Sequence, residues 1–328
     1  MFFVDRNIPR RSSESATADR RDSFHTSSNG RKWFTEVDHE LLPGQVQGFE
    51  INRVIAHRVT LHKEIFLLNS TAHGKVLVFD GLTQGTENDG FAYYEMCSHV
   101  PLCCHPEPKR VLVMGGLDCS GLGIEILKHP SVERIVHCEE DSEMIDFLKV
   151  HFTQKGFNHN SNKYEYYPME AKEYLRGHNE EFDVIITDFE LPSPDTEGFF
   201  GDSFFELVKT ALKPDGVTIT QSWGIWVELR PPTMMLKENM RWARNLFDSV
   251  DYYTLAAPSF TCGQAGNIIC SKELNRQFKA PVRALAETTI KEWKLRYYNP
   301  DIHTASFALP QFAKDLLFST ETSRRFTM

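Results

Sequence analysis

The feature that most constrains this chain is the stretch from Lys109 to Asp141, KRVLVMGGLDCSGLGIEILKHPSVERIVHCEED. A short apolar run, Val111 to Met114, leads into a glycine cluster of Gly115, Gly116, Gly121 and Gly123. An amphipathic segment with Leu122, Ile124, Ile126 and Leu127 comes next and breaks at His129-Pro130. A second apolar run, Ile135-Val136, stops at Cys138-Glu139-Glu140-Asp141. Strand, glycine turn, helix, strand and acidic end are the order of the first βαβ unit of a nucleotide-binding sheet. Glycine lets backbone approach a ligand where a Cβ would collide, and a carboxylate ending the second strand accepts hydrogen bonds from both ribose hydroxyls. The competing reading of the same glycines is a turn that packs helix on sheet.

Downstream of this unit the chain alternates as a doubly wound sheet requires. A helix capped by Ser142 runs to about Phe152, and Tyr164–Tyr167 is a strand. A helix over Ala171–Arg176, a strand over Phe182–Thr187 ending at Asp188, and a helix over Ser203–Leu212 come next. Lys213-Pro-Asp-Gly216 reads as a turn into a strand that ends at Gln221. A long helix from Pro232 to Phe247 precedes strands over Val250–Leu255 and Asn267–Cys270. Short helices are expected over Glu287–Leu295 and Pro310–Leu317. Ahead of the glycine unit, Phe49–Val59, Glu64–Asn69 and Lys75–Phe79 carry strand patterning between turns at Ala72-His73-Gly74 and Asp80-Gly81. A helix from Phe91 to Val100 then leads to the Pro101–Pro108 linker. The expected class is α/β: a Rossmann-like, class I methyltransferase-type sheet preceded by a small antiparallel β domain. The expected divisions are a polar tail at 1–32, a β domain at 33–95, the αβ domain at 96–275 and a helical extension at 276–328.

Charge and cysteines narrow the function classes. The net charge of −9 disfavours a nucleic-acid partner and suits a cationic ligand. In residues 1–32, seven Lys/Arg face four Asp/Glu, which suggests a disordered, mildly basic tether. Seven cysteines without a C-x-x-C pair read as reduced thiols of a cytoplasmic protein. The histidines show no metal-ligand spacing, and no metal is expected. No apolar run approaches the roughly 20 residues of a membrane span.

Several stretches are specific enough to carry a family. WFTE (33–36), LPGQ (42–45), FDGLTQGTENDGFAYYEM (79–96), KHPSVE (128–133), CEED (138–141), FDVIITD (182–188), KTALKPDG (209–216) and LRYYNPDIHTASFALPQFA (295–313) together resemble spermidine synthases and the wider polyamine aminopropyltransferases. The resemblance implies attack by a polyamine nitrogen on the methylene beside the sulfonium of decarboxylated S-adenosylmethionine, with that compound as co-substrate and no resident cofactor. It implies donor contacts from Gln84, Asp89, Asp118 and Glu139, from the turn at Gly115 and Gly116, and an adenine clamp at Glu170. It places Tyr93 and Asp188 beside the reacting amine.

The departures from that pattern are heavy. The family's GGGDGG becomes Gly115-Gly116-Leu117-Asp118-Cys119-Ser120, with a branched side chain where donor and backbone would touch. Its GDA-like clamp becomes Met169-Glu170-Ala171. Its D-S-S-D-P becomes Asp188-Phe189-Glu190-Leu191-Pro192, so the catalytic aspartate falls on Leu191. A leucine neither holds an ammonium nor accepts its proton, and losing a general base typically costs about 10²–10⁴-fold. Tyr94 stands for a glutamine and Phe260 for a tyrosine. Glu190 and Asp195 are the nearest carboxylates that could substitute. The expectation is a catalytically silent homologue serving as a non-catalytic subunit, as a homodimer, a heterodimer with an active paralogue, or part of a larger assembly. The alternative is an active aminopropyltransferase; a third reading is a sensor of polyamine or methylthioadenosine.

Overall fold

A computed structural model of the chain describes residues 23–37, 44–116, 119–189, 202–227 and 235–318. Two sheets carry it. The first is a six-stranded antiparallel meander: β1 (Phe24–Thr26), β2 (Lys32–Glu36), β3 (Gln47–Val59), β4 (Glu64–Ser70), β5 (Lys75–Phe79) and β6 (Leu82–Thr86), hydrogen-bonded in chain order. β1 lies inside the segment read as tail; Phe24 packs on Phe34 and Phe66 with ring centroids 5.4 and 5.2 Å away. β6 is not among the expected strands, because LTQGT has little apolar patterning. Its pairing with β5 supplies the missing order.

The second sheet has seven strands: β7 (Arg110–Gly115), β8 (Arg134–Cys138), β9 (Tyr164–Tyr167), β10 (Phe182–Asp188), β11 (Leu212–Trp223), β12 (Ser249–Ala256) and β13 (Gln264–Ser271). Their order is β12-β13-β11-β10-β7-β8-β9. The five strands from β11 to β9 are parallel, and β13 runs antiparallel to β11 and β12. Every residue of β10 is buried, as a central parallel strand covered on both faces demands. The expected turn at 213–216 is absorbed into β11 as a bulge, the register on β10 jumping from Phe182↔Leu212 to Val184↔Val217.

Helices α1 (Gly90–Cys103), α2 (Cys119–Leu127), α3 (Ser142–His151), α4 (Ala171–Arg176), α5 (Asp202–Ala211) and α6 (Met235–Leu246) belong to this sheet, and α7 (Glu287–Glu292), α8 (Pro300–Ala305) and α9 (Gln311–Phe318) come after it. The cap of α3 is Asp141, one residue before the expected Ser142: its Oδ1 accepts the Met144 amide at 2.9 Å. Its Oδ2 accepts the Thr60 hydroxyl at 2.6 Å, tying the helix to the first sheet. Below that tie, Ile65, Leu67, Leu77 and Phe79 pack on Met144, Ile145, Phe147 and Leu148, so the sheets share a core. Asn299 caps α8 through the Ile302 amide at 2.8 Å, with Pro300 in its first turn. His303 is buried between the Tyr298 hydroxyl (2.9 Å) and the Phe278 carbonyl (2.8 Å), a structural role.

Buried histidines join the layers. His129 meets His99 at 2.9 Å, and His99 meets Glu125 at 2.9 Å. Burial, with His99 and Arg283 nearby, pushes His129 down to about 2. His137 on β8 is also fully buried and pushed down to about 4. Both are neutral in the fold, whereas in the unfolded chain they protonate below about 6.5. Stability is therefore present above that value and lost as pH falls towards 4, by on the order of 2 kcal/mol per histidine at about pH 5. Denaturant unfolding at about pH 7.5 and pH 5 checks this; equal midpoints would contradict it.

Candidate functional site

The ends of β7, β8 and β10 converge where a parallel sheet presents its ligand crevice. Gly115 is the hinge. Its φ is +97°, and a Cβ there would lie 2.2 Å from the Asp188 carbonyl oxygen. A Cβ on Gly116 would lie 2.7 Å from Met144 Cε and 3.0 Å from Glu139 Cγ. Both glycines therefore let strand ends and α3 close up, so the packing reading holds for them whatever the turn binds.

Asp188 ends β10 and is buried. Tyr93, on α1, donates its hydroxyl to Asp188 Oδ1 in a short hydrogen bond. Burial first, and the Asp188 charge second, hold the Tyr93 phenol well above its usual range, so it remains a donor. Behind it, the Asn267 amide donates to Cys97 Sγ at 3.6 Å, and burial with Asp188 pushes the Cys97 thiol up. A buried polar chain thus runs from β13 through α1 to the end of β10.

Asp89, immediately before α1, accepts three hydrogen bonds: from the Ser259 amide at 2.7 Å, the Ser259 hydroxyl at 3.0 Å and the Thr86 hydroxyl at 2.5 Å. The loop carrying Ser259 is itself held to the first sheet, with Gln47 donating to the Ser259 carbonyl at 2.5 Å and Thr261 to Glu36 at 3.2 Å. Asp89, Tyr93, Gln84, Tyr94 and Phe260 line a cleft of about 420 Å³, counting the space open to solvent. Leu77, Phe152 and Ser259 line it too; sequence reasoning missed them. Ser259 had a signal, its place beside Phe260, but Leu77 and Phe152 come from distant segments with only a core pattern.

Of the other expected residues, Glu139 and Glu170 follow β8 and β9 at the same end of the sheet and do not line this cleft. Glu139 Oε1 accepts the Asp141 amide at 2.8 Å, and burial raises its carboxyl above the usual range against the opposing pull of Lys63. Glu170 precedes α4 without a side-chain cap. Cys138 Sγ donates to the neighbouring Met169 carbonyl at 3.1 Å, and burial, with Glu139, Glu140 and Glu170, pushes that thiol up to about 12. Asp118, Leu117, Glu190, Leu191 and Asp195 lie outside the described residues. Among the described residues, no group of three His, Cys, Asp or Glu side chains is placed to hold a metal ion.

The comparisons with known proteins agree on one family. The profile of the spermine/spermidine synthase domain matches residues 90–280, and that of the spermidine synthase tetramerisation domain matches residues 32–87. The chain belongs to the spermidine/spermine synthase family. It is 38% identical to a spermidine synthase of Dictyostelium discoideum over 86% of this chain and 95% of that one. Identity to a spermine synthase of Saccharomyces cerevisiae is 34%, over 87% and 95%. The fold superposes on the spermidine synthase of Thermotoga maritima with a TM-score of 0.76 at 30% identity, covering 87% of this chain and 94% of that one. A spermidine synthase in complex with a transition-state analogue, AdoDATO, gives the same TM-score at 29% identity, over 87% and 93%.

Tyr94 packs tightly over α2. A Cβ on Gly121 would lie 2.6 Å from the Tyr94 ring, so the tyrosine fills the space over the start of α2. Gly121→Ala is expected to destabilise by about 1–3 kcal/mol, the usual cost of overpacking. In a Tyr94→Gln background the same change is expected to cost distinctly less. A double-mutant cycle in denaturant measures the coupling, and additive effects would contradict the contact.

Proposed function

We propose that this chain is a non-catalytic member of its family, binding as a subunit of an oligomer and retaining the ligand crevice without the transfer chemistry. The observation that carries the reading is Leu191, a leucine where the family resemblance places the proton-accepting aspartate. Asp188 accepts the Tyr93 hydroxyl in a buried site, and Asp89 is held by Ser259 and Thr86. A polyamine nitrogen must lose its proton to attack, and a leucine side chain accepts none. Cytoplasmic residence belongs to the same reading, supported by the free, buried thiols of Cys97, Cys103, Cys104, Cys138 and Cys270. No described helix is long and apolar enough to cross a membrane.

The second reading is an active aminopropyltransferase that makes spermidine or a related polyamine. It is favoured by Gln84, Asp89 and Tyr93 facing one cleft and by the named relatives. One assay separates the two. Purified protein with decarboxylated S-adenosylmethionine and putrescine or spermidine is expected to release almost no methylthioadenosine. Turnover near ~1 s⁻¹, in the ordinary enzyme range, establishes the second reading instead. Leu191→Asp alone is expected to restore little, because Leu117 still replaces a glycine of the family turn.

Assembly through the first sheet is supported by the tetramerisation-domain match over residues 32–87 and by the exposed Val54, Val59 and Leu61 on and beyond β3. The outer strands offer unpaired backbone groups that favour pairing or covering. Light scattering is expected to return a dimer or higher species, alone or with an active relative. A stable monomer near 37.8 kDa in both cases would remove the subunit reading.

A further inference from the structure

His137 has a task that neither metal-ligand spacing nor the family resemblance assigns to it. It lies on β8 opposite Val113 and Tyr166, and its side chain is wholly buried. The last pair between β7 and β8 is Met114↔Cys138, so on that side Gly115 lies one residue beyond the ladder, while on the other it still pairs with Asp188 of β10. Its carbonyl is met at 2.6 Å by His137 Nε2. A carbonyl oxygen only accepts, so Nε2 carries the ring proton. The other nitrogen, Nδ1, lies 2.7 Å from the Tyr164 hydroxyl. In the neutral ring Nδ1 only accepts, so Tyr164 donates, and the tautomer is set by these two partners.

The consequence reaches the glycine turn. Glycine rotates freely about its backbone bonds, and Gly115-Gly116 places two together at the point where the chain leaves the sheet. The Gly115 carbonyl and the Gly116 amide share one rigid peptide plane. Holding the first therefore orients the second. We propose that His137 is a positioning residue for the nucleoside-binding turn, fixing the Gly115–Gly116 peptide plane through its Nε2–H. This rests on the reading of that turn as a retained ligand crevice. The simpler role, a core histidine satisfied by whatever surrounds it, makes different predictions.

The test uses the full chain, labelled with ¹⁵N-histidine and ¹⁵N-glycine, and calorimetry with 5′-methylthioadenosine as the probe. In the wild type, His137 is expected as the Nε2–H tautomer; an Nδ1–H ring would overturn the proposal without any variant having to fold. His137→Leu removes donor and acceptor, and is expected to displace the Gly116 amide resonance and weaken methylthioadenosine by roughly 10-fold, the worth of one lost hydrogen bond. His137→Gln keeps a donor and an acceptor on one side chain and is expected to restore both readouts. An unmoved Gly116 resonance in His137→Leu, or a His137→Gln protein that fails as badly as His137→Leu, overturns the proposal. Should the wild type bind no methylthioadenosine while the Gly116 resonance still responds to the two variants, the nucleoside reading falls and the tether on the turn stands.

Discussion

The hydrogen bond from Tyr93 to Asp188 is the contact on which the site depends. It joins α1 to the end of β10 in a fully buried setting, where a bond to a charged acceptor is roughly twice as strong as a neutral one. Asp188 also sets the close approach of β10 to Gly115, whose missing side chain leaves room for the Asp188 carbonyl. From this point the other parts take their places. Tyr93 fixes α1, the residue just ahead of α1 is Asp89, and Asp89 holds the Ser259 loop that forms the far wall of the cleft. Breaking the bond leaves a buried carboxylate short of a donor, at a cost of about 1–3 kcal/mol or more.

A second set of ties makes the two sheets one body. Asp141 caps α3 with one oxygen and takes Thr60 with the other, while Leu77 and its neighbours share a core with that helix. Gln47 and Glu36 reach from the first sheet to the loop at 259–261. The cleft is lined by Leu77, Gln84 and Gly85 at the first sheet and by Ala257 and Phe260 of the loop that joins β12 to β13. A change in how the first sheet assembles with a partner would therefore be felt at the cleft wall through short, specific bonds.

Much of this is legible in the chain. The βαβ unit, the central strand at 182–188 and the helices at 142–151 and 171–176 arise from apolar runs bounded by turn residues, and each lies where the pattern places it. Word-like stretches such as FDGLTQGTENDGFAYYEM bring Gln84, Asp89 and Tyr93 into one proposal, and they do face one cleft. The parts that escape are set by tertiary contact. β6 is held by its partner strand, the bulge at 213–216 by register on β10, and the cap of α3 by a residue read as a strand's acidic end. The glycines are legible as glycines, but their necessity for packing emerges only from the 2.2 and 2.7 Å approaches a Cβ would make.

Packing duty changes what a match to the family pattern means at each position. Asp188, Tyr93, Gly115 and Gly116 are positions that the resemblance assigns to the site, yet each has a structural duty that would keep it in place with no chemistry at all. Their presence therefore does not discriminate a working transferase from a scaffold. Positions with lighter structural duties are more informative. Gln84 donates to the carbonyl of Leu82, two residues away, and otherwise offers its amide to the cleft. Glu139 keeps a carboxyl that burial disfavours as an anion, and its bond to the Asp141 amide only partly offsets that. A buried acid held against its solvation preference is costly to retain without a ligand to bind. A carboxyl kept at Glu139 against that cost is what a crevice retained for recognition requires, in either reading of the chemistry.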